Sequence, residues 1–70
     1  MVDYWKGELE LVIKRLNKDV GWDGETIKAW LSTPHTAFNF EAPYEMITKG
    51  FGYKVLDYVD LITLKLRDNG

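Results

Sequence analysis

Hydrophobic positions in the first third of the chain recur with the period of an α-helix. Between about Asp3 and Asp19, apolar residues return every three or four positions and form one stripe. The stripe consists of Trp5, Leu9, Val12, Ile13 and Leu16. Asp3 is a candidate N-cap, and basic residues collect near the end of the segment, where the helix dipole favours cations. The segment ELELVIK also alternates as a strand does, but the longer helical period favours a helix.

Two shorter helices are predicted in the middle of the chain. The first runs from about Gly24 to Ser32 and stops there, because Pro34 disfavours helical geometry at the residue before it. The second runs from about Ala42 to Lys49, with Pro43 in its first turn and Gly50 as the residue that ends it.

The last periodic segment is the longest and runs from about Tyr53 to Arg67. The residues expected on its buried face are Val55, Tyr58, Val59, Ile62 and Leu66. Leu61 and Leu64 fall instead in the polar sector. Either they are scattered apolar surface residues, which are common, or they form half of an interface. The four segments together predict an all-α fold, a small bundle of about four helices with the last one longest.

The composition is that of one small domain spanning residues 1–70. Aromatic residues make up 14% of the chain, so they either fill the core or face a partner. A chain of this length buries only about 60% of the surface that its unfolded form exposes, so we expect a homo-oligomer. Because the chain has no cysteine, no signal-peptide pattern and no apolar run of about 20 residues, we expect a cytoplasmic protein without membrane contact.

The only histidine, His35, is the first residue to test for catalytic chemistry. Ser32 is the only serine and lies three residues away, with Pro34 between them. The pair Asp57 and Asp60 does not make the dense cluster of oxygen ligands that a calcium ion needs. We therefore expect His35 to be a loop residue or a cap on the preceding carbonyl groups. We predict no enzyme activity, no metal and no cofactor.

The segment LVIKRLNKDVGWDGETIKAWLS, residues 11–32, has the spacing of a helix-turn-helix motif. Gly21 would make the turn, and the second helix would enter the major groove of DNA. The residues facing the groove would be Glu25, Thr26, Lys28 and Ala29. Against this, Asn17 lies where the motif usually packs a small apolar residue, and Glu25 would repel phosphate. The net charge of −2 also argues mildly against nucleic-acid binding, although a local basic patch can outweigh it.

The segment WLSTPHTAFNFEAPYEMITKG, residues 30–50, resembles the toxin-binding domain of the Xre/MbcA/ParS antitoxin family, whose pattern is close to WLxTPNxxLGGxTPxELLxxG. Aligned without a gap, the chain keeps Trp30, Leu31, Thr33, Pro34, Pro43, Glu45 and Gly50. The similarity extends over about Val20 to Leu66. His35 replaces an Asn of the pattern, and Asn39-Phe40 replaces its pair of glycines. If that pair needs positive φ, Phe40 carries a steric penalty.

This resemblance implies an antitoxin-like protein-binding domain that neutralises a RES-domain toxin, an enzyme that consumes NAD or uses it for ADP-ribosylation. The toxin-binding region would be residues 20–66, and the last helix with the chain end, Arg67 to Gly70, would cover the active site of the toxin. The residues expected to build the domain are Trp30 and Leu31, buried under Pro34 and Pro43, and Gly50. The residues expected to contact the partner are Phe40, Tyr44, Phe51, Tyr53, Leu61, Leu64 and Arg67. A small helix-turn-helix regulator that binds DNA is the alternative function.

Overall fold

The computed structural model describes residues 4–68, which form helices joined by short turns. The helices are α1 (Tyr4–Arg15), α2 (Gly24–Ser32), α3 (Pro43–Met46) and α4 (Gly52–Asp68). A π-helical segment, Leu16–Val20, extends α1, and a second one, Ile47–Phe51, joins α3 to α4. A 3-10 turn, Thr36–Phe38, lies in the loop after α2. The described residues contain no strand, so the predicted all-α class is confirmed. The predicted N-cap Asp3 lies outside the described residues.

The predicted number of about four helices is wrong, because residues 4–68 form three helices of more than one turn. The four residues of α3 make only a single turn. Gly50 has a φ of 97°, as its predicted role at a helix end requires, but the chain bends there and continues directly into α4. The last helix is the longest, with 17 residues against 12 in α1.

The second helix has the bounds that its sequence predicts. The side chain of Asp23 accepts a hydrogen bond of 2.8 Å from the backbone N–H of Thr26, which satisfies one of the free donors at the start of α2. At the other end, Thr33 is extended, with a φ of −101° and a ψ of 127°. This is the conformation that Pro34 favours in the residue before it, so α2 ends there.

The long helices α1 and α4 lie side by side and run in the same direction. Near the start of α4, a Cβ atom on Gly52 would lie 2.7 Å from Cδ of Glu8. Further along both helices, the Arg15 guanidinium donates to the Asp60 carboxylate. The extension of α1 ends before α4 does, so the last turns of α4 project beyond it. Leu66, predicted to be buried, is therefore 50% exposed.

The core lies where α1, α2 and α4 meet the turns between them. Its buried members are Val12, Leu16, Ile27, Leu31, Phe38, Met46, Ile47, Val55 and Val59. Trp5 and Leu9 pack against this core, as the stripe in α1 predicts. Ile13 belongs to the same stripe but is 38% exposed, because α1 turns only a narrow face inward.

Candidate protein-binding surface

Trp30 holds the loop after α2 against α4. Its ring stacks on that of Tyr58, with centroids 6.2 Å apart and an angle of 13° between the planes. It also meets the rings of Trp22 at 5.9 Å and Phe38 at 6.4 Å edge-on. Such aromatic pairs are worth about 0.5–1.5 kcal/mol each beyond the area that they bury. Trp30 therefore joins α2, the 3-10 turn and α4 into one structure.

The two prolines that the chain shares with the family pattern differ in burial. Pro43 is buried in the first turn of α3, and Leu31 is buried beside the same core. Trp30, expected to be buried, is only partly buried, and Pro34 is exposed. Its position follows from its local effect, since it terminates α2 at the surface. Only Pro43 contributes to the packed interior.

His35 closes the turn between the prolines through its backbone and its ring. Its carbonyl oxygen accepts hydrogen bonds from the amides of Phe38, at 3.0 Å, and Phe40, at 2.8 Å. Its own amide donates to the carbonyl oxygen of Glu41 at 3.3 Å. The ring Nε2 lies 3.3 Å from the carbonyl oxygen of Trp30, which confirms the predicted contact with a preceding carbonyl. Among residues 4–68, no three His, Asp or Glu side chains are placed to hold a metal ion.

Phe40 has a backbone conformation that aromatic residues disfavour. Asn39 and Phe40 have φ angles of 56° and 65°, both in the left-handed region. The chain therefore needs positive φ where the family pattern has two glycines, and the predicted penalty at Phe40 is present. The left-handed conformation costs roughly 1–2 kcal/mol for a residue with a Cβ atom. The side chain of Phe40 is nevertheless 72% exposed, so core packing does not offset this penalty.

An open groove lies beside this turn, between the loop and α4. Phe38, Met46 and Tyr58 are the aromatic and apolar residues that come from the core. Phe51, Lys54, Asp57 and Leu61 line the side formed by α4 and the segment before it. The ammonium of Lys54 lies 5.2 Å from the centre of the Phe51 ring, a cation–π contact, and Tyr53 lies beside Phe51 at 6.3 Å. Sequence reasoning missed Lys54 and Asp57, although their spacing from Leu61 places all three on one helical face.

An ion pair ties the turn to the segment that follows α3. Lys49 Nζ lies 2.7 Å from Glu41 Oε1. The hydrogen bond and the charge of Glu41 raise the pKa of Lys49 above its ordinary value. Both groups are exposed, so the pair contributes little to stability but fixes the position of Glu41 at the edge of the groove.

The predicted partner-binding residues lie in three places rather than in one patch. Phe51 and Leu61 line the groove, with Tyr53 next to Phe51 and Phe40 on the adjoining turn. Tyr44 lies elsewhere, edge-on to Trp5 with ring centroids 6.1 Å apart. Leu64 lies beside the ion pair of Arg15 and Asp60. The side chain of Arg67 and the residues after Asp68 lie outside the described part of the chain.

The features of the helix-turn-helix alternative are present only in part. Gly21 has a φ of 87°, as a turn between two helices requires. Asn17 does not pack as an apolar residue would, and its side chain donates a hydrogen bond of 2.9 Å to the carbonyl oxygen of Trp22. The four residues proposed for the major groove are all exposed, and they are Glu25, Thr26, Lys28 and Ala29. One acid and one base leave this face without the positive charge that phosphate contacts need.

Comparisons with known proteins found no match to this chain among protein-family models, curated proteins or solved structures. Within residues 4–68, no helix combines the length and the apolar character that crossing a membrane requires.

Proposed function

We propose that this chain is an antitoxin-like protein-binding domain that neutralises a cognate RES-type toxin, an enzyme that consumes NAD or uses it for ADP-ribosylation. The observation that carries the proposal is the turn between the prolines, which the kept residues of the family pattern flank and in which this chain departs from that pattern. There Phe40 combines a left-handed backbone with a side chain that is 72% exposed. We place this activity in the cytoplasm, where NAD is plentiful.

A strained and exposed aromatic residue is unfavourable for an isolated domain. Asn or Gly would adopt the same φ at lower cost, and neither would expose a ring to water. Residues that keep such strain are concentrated at functional sites, where binding compensates for it. Aromatic residues are also enriched among the few interface positions that contribute most of the binding free energy. Phe40 is therefore the residue that we expect to anchor the partner.

The surroundings of Phe40 suit a rigid binding surface. The hydrogen bonds of His35 and the ion pair of Glu41 with Lys49 hold the turn on both sides. A turn that is already ordered loses little conformational entropy when it binds. Phe51 and Tyr53 add exposed rings near the start of α4, and in this proposal α4 and the chain end cover the active site of the toxin.

Co-expression with a RES-domain toxin encoded beside this chain tests the proposal. We expect the chain to restore growth and to co-purify with the toxin. Phe40→Asn should abolish or strongly weaken the rescue without loss of folded protein. Leu11→Ala, a change at an exposed apolar residue of α1, is the matched control and should rescue as well as the original chain. If the original chain neither restores growth nor co-purifies with the toxin, the proposed function is contradicted.

The second candidate is a helix-turn-helix regulator, which the left-handed Gly21 between α1 and α2 favours. This function predicts a salt-dependent shift of DNA in gel electrophoresis at submicromolar protein. Lys28→Glu should remove that shift and leave toxin rescue intact. If instead DNA binding is found and rescue is not, the regulator replaces the antitoxin as the function of the domain.

A further inference from the structure

The exposed face of α4 carries a charge pattern that is symmetric about Leu61. Asp57 lies four residues before Leu61 and Lys65 lies four residues after it. At about 100° per residue, all three fall on the same side of the helix. A second copy of α4 that runs antiparallel and centres on Leu61 would therefore place each Asp57 opposite a Lys65.

The apolar residues that flank Leu61 along α4 have the same symmetry. Tyr58 precedes Leu61 by three residues, and Leu64 follows it by three. Tyr58 lies in the groove beside the turn, whereas Leu64 belongs to the part of α4 near the end of the α1 extension. In the antiparallel arrangement, Leu64 of one copy would enter the groove of the other beside Tyr58. One half of the helix offers the groove and the other half offers the residue that fills it.

We propose that this chain forms a two-fold symmetric dimer through α4, with Leu61 packed against Leu61 of the second copy. Leu61 and Leu64 are 54% and 56% exposed, so both remain available for contact with a second copy. A two-fold interface uses the same patch on both copies, so this patch must be complementary to itself. The exchange of Asp57 and Lys65 on either side of Leu61 meets that requirement.

Charge complementarity favours a second copy as the occupant of this surface. Asp57 and Lys65 are exposed, and neither forms an ion pair with a side chain that the structure describes. Two reciprocal ion pairs would form, one at each end of the leucine contact. A parallel arrangement would bring like charges opposite each other, which is unfavourable. The charges therefore determine the direction of the second helix as well as its identity.

The dimer is expected to be weak. One pair of helices buries less than the roughly 1,200 Å² typical of stable complexes, so dissociation in the micromolar range is expected. The dimer would form from the chain alone, without the proposed toxin. Because the proposed toxin contact also uses α4, toxin and second copy would compete for this face, but sedimentation of the chain without toxin tests the dimer separately from growth rescue.

Charge-reversal variants test both the surface and the antiparallel direction of the second α4. Their association is measured by sedimentation velocity from about 1 to 500 μM protein. Asp57→Lys gives a face with two lysines, and Lys65→Asp gives a face with two aspartates. We expect each variant alone to weaken association at least tenfold. An equimolar mixture of the two variants should recover it, because each lysine then faces an aspartate in both reciprocal pairs.

The matched controls are Glu10→Lys and Lys14→Asp, which reverse exposed charges on α1. They should leave association unchanged, alone and mixed, and circular dichroism should show the same helicity for all variants. An original chain that stays monomeric up to 500 μM would overturn the proposal. A dimer that survives both single reversals, or one that the mixture fails to restore, would overturn it too.

Discussion

The backbone amide of Phe40 donates a hydrogen bond of 2.8 Å to the carbonyl oxygen of His35. This bond spans the turn and holds Phe40 at a φ of 65°. The same carbonyl oxygen accepts the amide of Phe38, whose ring is buried in the core. The buried ring of Phe38 thus anchors the turn to the core, and the turn in turn fixes the exposed ring of Phe40. The conformation that exposes this ring for binding therefore lowers the stability of the domain.

Replacing Phe40 with Asn is expected to stabilise the isolated domain. Asn tolerates the left-handed region better than Phe does, so the free energy of unfolding should rise by roughly 0.5–1 kcal/mol. For a domain of this size, this corresponds to an increase in Tm of about 2–8 °C. Thermal unfolding followed by circular dichroism measures the change. A variant with a clearly lower Tm would mean that the exposed ring makes stabilising contacts.

Two glycine substitutions should change stability in opposite directions. Gly50 has a φ of 97°, so Gly50→Ala is expected to cost about 1–2 kcal/mol. Gly7 lies within α1, and a Cβ atom there would meet no atom within 4 Å. Gly7→Ala should therefore raise the free energy of unfolding by about 1 kcal/mol, since Ala is the better helix former. Urea unfolding of both variants checks the pair, and equal effects of the two would contradict the different backbone conformations.

The double change Leu61→Lys with Leu64→Lys should leave the fold of the monomer intact. Both side chains are more than half exposed, so their removal opens no cavity in the core. Helicity by circular dichroism is expected to stay the same at low protein concentration, while association is lost. Val59→Lys is the contrasting variant, because Val59 is fully buried and a charge there should unfold the domain. If the double variant also unfolds, the two leucines belong to the core.

Because of the cap at Asp23, the free energy of unfolding should fall as the pH decreases through the acidic range. The hydrogen bonds from the side chain and the backbone amide of Thr26 lower the pKa of Asp23 below its ordinary value in the folded state. A depressed folded pKa stabilises the fold above the unfolded pKa, and this stability is lost as pH falls through the folded pKa. Asp23→Asn keeps a good cap without a titrating group. Unfolding free energies measured from pH 6 down to pH 2 should therefore fall less steeply for the variant, and parallel curves would contradict this role.

Local interactions explain the features that sequence reasoning predicted correctly. The start of α2 depends on Asp23 and its end on Pro34, and both act on neighbouring backbone groups. The positive φ of Gly50 and the steric penalty at Phe40 likewise concern a residue and its own backbone. Such features depend on residues that are close in the sequence, so they can be predicted without the tertiary structure.

The all-α class and the bounds of α2 follow from patterns that are local in the sequence, and the strain at Phe40 is expected from its place in the family pattern. Which apolar residues are covered depends on tertiary packing. Leu66 and Ile13 have the helical spacing of core residues and are exposed, because no neighbouring element reaches them. Pro43 is buried and Pro34 is not, although both belong to the same motif. Periodicity specifies the direction in which a side chain points from its helix, whereas burial depends on distant parts of the chain that pack there.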